Sequence, residues 1–96
     1  MKTVEILISG RVQKVGFRSC IRKTAASLNI HGVATNLTDG RVQVVATGEE
    51  IVLEKFISML YSCPRAVIRD LSVRDMEYTE FVDFSIRKGH YQYGTV

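Results

Sequence analysis

"VATNLTDGRVQVVATG", Val33 to Gly48, is the stretch that decides the fold. Its centre, Asp39-Gly40, is strong hairpin chemistry, because a tight primed turn needs positive φ and Gly40 adopts it without steric cost. The flanks, Val33 to Leu37 and Arg41 to Thr47, then read as two antiparallel strands.

On either side of this hairpin lies a helical pattern. Upstream, "SCIRKTAASLN", Ser19 to Asn29, puts Ile21, Ala25 and Leu28 on one face and turns Arg22 and Lys23 away from it. Gly32 follows as a stop signal. Downstream, "EEIVLEKFISMLYS" places Val52 or Leu53, Phe56 and Leu60 on one stripe. Glu49 and Glu50 open that helix where its dipole favours negative charge, and Cys63-Pro64 ends it because proline cannot continue the ladder.

Further out, "VEILIS" has the continuous apolar middle of a central first strand. "AVIRDLSVRDMEY" alternates but slips phase, so a bulge is expected within it, and the sheet order around Val67 to Tyr78 stays open. "FVDFSIRKG" alternates Phe84 and Ile86 against Asp83, Ser85 and Arg87 and completes the set. The tail from about residue 89 carries no pattern and is expected to fray. The order strand, helix, strand, strand, helix, strand predicts an α+β, ferredoxin-like βαββαβ sandwich, with an antiparallel sheet and both helices on one face.

The bulk numbers are compatible with this. A chain of 96 residues, 46% hydrophobic and 24% charged, can form a single domain spanning 1–96. No apolar run approaches the roughly 20 residues of a membrane span, and the short apolar start is broken by Glu5, so a cytoplasmic protein is expected. Cys20 and Cys63 fit no metal or redox spacing. A disulfide between them is possible but unusual in that compartment, and Cys20 reads better as a small buried apolar residue than as a nucleophile. The net charge of +3 suits a small anion without demanding one.

The junction between the first strand and first helix is more specific. "GRVQKVGFR", Gly10 to Arg18, is richer than a connection requires. A helix N-terminus offers unpaired N–H groups and partial positive charge, and a loop bent by glycine can aim more N–H groups at the same point. Gly10 and Gly16 allow that bend, and Arg18 adds a planar fork suited to phosphate oxygens. A surface arginine at an ordinary turn would look the same.

These residues carry a resemblance. "GRVQKVGFR" followed by "GVATNLTDG" resembles the paired motifs of the acylphosphatases, through Gly10, Val12, Gln13, Val15, Phe17 and Arg18, then Gly32, Asn36 and Gly40. The resemblance extends over the whole chain in length and element order. It implies hydrolysis of small acyl phosphates by a free-standing enzyme, without metal or cofactor. Arg18 and the backbone of Arg11, Val12, Gln13, Lys14, Val15, Gly16 and Phe17 would bind the phosphoryl group, and Asn36 would orient the attacking water. The implied partner is a small-molecule acyl phosphate, with no nucleic acid and no membrane, and the chain is expected to be a monomer.

Two positions depart from the pattern. Lys14 stands where the family has glycine, and Val33 where it has an aromatic residue. If position 14 requires positive φ, lysine costs about 1–2 kcal/mol there, and its amine faces solvent or stands near the phosphate. His31 and His90 have no partner in sequence that would make either a ligand or a base.

Other functions of this architecture fit less well. An RNA-binding sheet needs aromatic residues on its first and third strands, and "TVEILISG" and "RVQVVATG" contain none. A metal-delivery domain needs a close cysteine pair at the first strand–helix junction, where Cys20 is alone. A catalytically silent anion-binding or regulatory module is the remaining alternative.

Overall fold

A computed structural model describes residues 1–94. Strand β1 (Lys2–Arg11) is followed by helix α1 (Phe17–Ser27), strands β2 (His31–Leu37) and β3 (Val42–Gly48), helix α2 (Glu50–Leu60), and strands β4 (Val67–Met76) and β5 (Phe84–Tyr91). The sheet order is β4-β1-β3-β2-β5. The first four strands form the antiparallel arrangement expected from the hairpin flanked by helices.

The fifth strand is an addition to the expected order. β5 lies parallel to β2 at the far edge and makes the sheet mixed. Its alternation of Phe84 and Ile86 is legible in sequence, but only Phe84 is buried and the strand is not counted in the six-element order. The segment from about residue 89 is therefore strand through Tyr91, and the Tyr93 hydroxyl reaches Glu5; residues 95–96 of the expected frayed tail lie outside the described residues.

Both helices cover one face of the sheet. Val4, Ile6 and Ile8 of β1 and Val42, Val44 and Ala46 of β3 meet Phe17, Ile21 and Ala25 of α1 and Leu53, Phe56 and Leu60 of α2 in one buried cluster. The helical stripes legible in sequence are thus the core faces, with Leu28 half-buried at the edge of the cluster. At roughly 25 cal/mol per Å² of apolar surface, this cluster is the main source of stability.

The phase slip in β4 is a bulge. Ser9 pairs with Asp70 and Gly10 with Ile68, which leaves Arg69 extra. Gly10 has φ 129°, and a Cβ there would sit 2.2 Å from the Val67 carbonyl oxygen, so the bulged strand can close only on glycine. The hairpin turn also differs in detail from the expected two-residue form. Leu37 and Arg41 close it through a 2.9 Å bond, and only Gly40 within the loop has positive φ, which is the three-residue type.

Cys20 and Cys63 are bonded to each other, with Cα atoms 6.0 Å apart. Reading them as separate thiols is corrected. Their separation of 43 residues carries no motif, but α1 and α2 lie side by side and bring the end of one helix to the first turn of the other. Such a bond is more usual in oxidising compartments, so the cysteines lend no support to a cytoplasmic setting. Among the described residues no helix is long and apolar enough to cross a membrane.

The segment joining β4 to β5 crosses beneath the sheet and bonds to each strand it passes. Thr79 N–H donates to Thr3 Oγ1 on β1 at 2.8 Å, and Thr47 Oγ1 on β3 donates to the Thr79 carbonyl at 2.6 Å. His31 Nδ1 lies 3.1 Å from the Phe81 carbonyl, and Gly32 N–H donates to Asp83. His31 is thus a strap residue.

Candidate active site

The strand directions gather four pieces at the opposite end of the sheet: the Val12–Gly16 loop after β1, the β2–β3 hairpin, the α2–β4 turn and the end of β5. The loop enters α1 through Gly16, which caps the helix in left-handed conformation at φ 74° without a side-chain cap. The helix's first N–H groups are therefore left for a ligand rather than for a capping serine or aspartate.

Lys14 has φ 62°. The position does require the left-handed region, and lysine adopts it at the cost expected for a non-glycine residue. The loop keeps its bend, with two left-handed residues, Lys14 and Gly16, flanking Val15.

A cavity of about 110 Å³ opens here, lined by Val12, Lys14, Gly16, Phe17 and Arg18 from the loop and helix start, by Ser19, and by Asn36 and Ile86 from β2 and β5. One water occupies about 30 Å³ of liquid, so this space suits a tetrahedral oxyanion and little more. Residues of the first motif and of the second thus meet at one cavity.

The remaining loop residues do not line it. Arg11 ends β1, exposed. Val15 packs against the core. Gln13 turns its side chain away from the cavity to clamp the loop: Nε2 donates to the Leu37 and Arg41 carbonyls, both at 2.9 Å, bracing the loop against the hairpin. His90 Nε2 donates to Gln13 Oε1 at 3.1 Å, which fixes the amide's orientation.

Asn36 is buried, and its Oδ1 accepts no hydrogen bond among the described residues. A buried acceptor without a partner costs about 1–3 kcal/mol unless something fills its place. Beside it β5 bulges: Thr35 pairs with Arg87 but Asn36 with His90, leaving Lys88 and Gly89 extra. Just before this bulge the Arg87 carbonyl accepts a 2.9 Å bond from Arg18 Nη1, which orients the guanidinium.

The hairpin's carboxylate does not oppose these cations. Arg41 donates to both oxygens of Asp39 and holds its carboxyl below the ordinary range. Sequence reading gave no role to Ile86, Arg87 or His90, which belong to the strand it left out of the element order, and read Ser19 as a helix-start residue rather than as cavity lining.

Comparison with known proteins gives the family. The acylphosphatase family model matches residues 4–86. The chain belongs to the acylphosphatase family. It is 42% identical over 87 residues to the acylphosphatase of Archaeoglobus fulgidus, covering 90% of this chain and 98% of that one. Identity to the acylphosphatase of Methanocella arvoryzae is 40% over 88 residues, 91% of this chain and 100% of the relative. The crystal structure of acylphosphatase from Bacillus subtilis superposes with a TM-score of 0.87 at 33% identity, covering 92% of this acylphosphatase-family chain and 100% of that structure.

Proposed function

We propose that the chain hydrolyses the carboxyl–phosphate bond of small acyl phosphates, with Arg18 and the loop amides from Arg11 to Phe17 holding the phosphoryl group and Asn36 aligning the attacking water. The observation that carries this reading is that Arg18 and the buried Asn36, whose Oδ1 has no partner among the described residues, line the same small cavity. An amide side chain in the cavity wall suits the placing of a water, and the oriented guanidinium suits the oxygens of the phosphoryl group.

The chemistry needs little else. The leaving group is a carboxylate whose conjugate acid resembles a Glu side chain, with pKa about 4.3, so it departs without being protonated. Phosphoryl transfer is largely dissociative, and the water needs placing more than deprotonating. Fixed N–H donors and a guanidinium stabilise the equatorial oxygens as charge builds, while loop and strand hold water and phosphorus in line. In this reading no metal or cofactor takes part, and the working unit is a monomer.

The test is hydrolysis of an aromatic acyl phosphate, followed by absorbance in excess chelator, for the natural chain and for Arg18→Ala and Asn36→Ala. We expect turnover with chelator present, and a fall of about 10²–10³-fold in kcat for each substitution. Background hydrolysis alone, with inorganic phosphate still bound, would instead make the chain a silent anion-binding module.

A further inference from the structure

Among the described residues, three other than glycine have left-handed backbone: Lys14, Asn29 and Arg65. Asparagine is frequent there, whereas long cationic side chains are not. Lys14 and Arg65 both lie at the cradle end, and both are exposed. Arg65 follows Cys63, whose bond to Cys20 ties the α2–β4 turn to the first turn of α1. Its Nη2 lies 3.1 Å from where a Cβ on Gly16 would stand, so the guanidinium rests against a residue that lines the cavity.

Among the described residues neither cation forms an ion pair; the pairs present involve Lys2, Arg41 and Arg74. Arg18 is oriented on the phosphoryl side by Arg87. The cavity's size leaves the acyl part of a substrate at the rim, beside Lys14, which lines the cavity, and near Arg65, which rests against Gly16. A neutral acyl group would make no use of two cations there.

We propose that Lys14 and Arg65 form a second anion subsite at the mouth of the cradle, selecting acyl phosphates whose acyl group ends in its own anion. This inference rests on the reading of the cavity as a phosphoryl site. The acyl anion would sit between the ammonium and the guanidinium in partly screened surroundings, where charge pairs act modestly but discriminate against uncharged chains.

The test is titration calorimetry with butylphosphonate and with the phosphonobutyrate that carries a carboxylate at the far end of the same chain, in low salt. We expect the natural chain to bind the carboxylate-bearing ligand about fivefold more tightly or better. Arg65→Asn keeps a residue that tolerates positive φ and is expected to remove most of that preference while leaving butylphosphonate binding in place. Lys14→Asn is expected to lower the same ratio. Equal weakening of both ligands in Arg65→Asn would make the arginine a purely structural neighbour of Gly16 and overturn the subsite. So would a natural chain that does not discriminate. Failure of the natural chain to bind either ligand would overturn the phosphoryl cradle itself and the subsite with it.

Discussion

The two ends of the sheet are built on opposite rules. At the strap end the buried hydroxyls find partners, Thr47 donating to Thr79 and Thr3 bonding to Thr47 at 2.6 Å and accepting from Thr79, and on the surface Lys2 pairs with Glu50 and Asp75. At the cradle end a buried amide oxygen has no partner, Lys14, Arg18 and Arg65 form no ion pair among the described residues, and Lys14 and Arg65 are held in left-handed backbone. A region that satisfies itself has nothing left to offer a ligand. The cradle end keeps its donors and acceptors free and is held instead by the Gln13 clamp and by a covalent bond.

The largest test of that contrast removes the covalent bond. Closing a loop across 43 residues restricts the unfolded chain by about 4 kcal/mol on the chain-entropy account. Replacing both Cys20 and Cys63 by alanine should lower stability by about that amount, and Tm by about 15–30 °C, read by thermal melts of oxidised protein. A melt as stable as the natural chain would mean that packing between the helices already holds the cradle end, and the contrast would lose its covalent half.

Next come two substitutions that should separate activity from stability in opposite directions. Asn36→Ala should cost about 10²–10³-fold in turnover yet leave stability unchanged or slightly raised, because it deletes an acceptor that the fold does not satisfy. Thr47→Val should do the reverse, losing about 1 kcal/mol by removing the shorter of the two hydroxyl donors to the Thr79 carbonyl, which keeps only Thr3 Oγ1 at 3.3 Å, while kinetics stay as they were. Paired denaturant melts and kinetics on both variants check this. An Asn36→Ala protein as destabilised as Thr47→Val would show that the amide serves the fold after all.

How much of this was legible in sequence follows the same division. Helix stripes such as Ile21/Ala25 and Leu53/Phe56/Leu60 are local and periodic, and they appear as written. The hairpin and the β4 phase slip are local as well, and the slip is the Arg69 bulge. Gly10, Gly16 and Arg18 suggest an anion cradle from local chemistry, whereas Asn36 is reached only through the resemblance to the acylphosphatases. What could not be read depends on distant partners. The Phe84/Ile86 alternation of β5 is readable, but its parallel pairing with β2 at the sheet edge is not. The Cys20–Cys63 bond and the place of Arg65 depend on how two helices meet. Glu5 looked like an interruption of an apolar strand. Burial alone would raise its carboxyl, but Arg74 and Gln43 bond to it and hold it below the ordinary carboxylate range on the sheet face that faces away from the helices.

The smallest effect concerns Lys14, and it sharpens the contrast most finely. Its φ of 62° is one that glycine adopts freely and lysine does not. Lys14→Gly relieves that strain but also frees the unfolded chain, which offsets part of the gain. A net rise in stability of about 0.5–1 kcal/mol is expected, read from denaturant midpoints at unchanged m-value. Because the bend is already present with lysine, the glycine variant should form the same cradle and still turn over an aromatic acyl phosphate. A loss of stability would mean that the lysine side chain contributes packing that outweighs its backbone strain. The unpaired ammonium would then belong with the satisfied end of the molecule, not with the end that waits for a ligand.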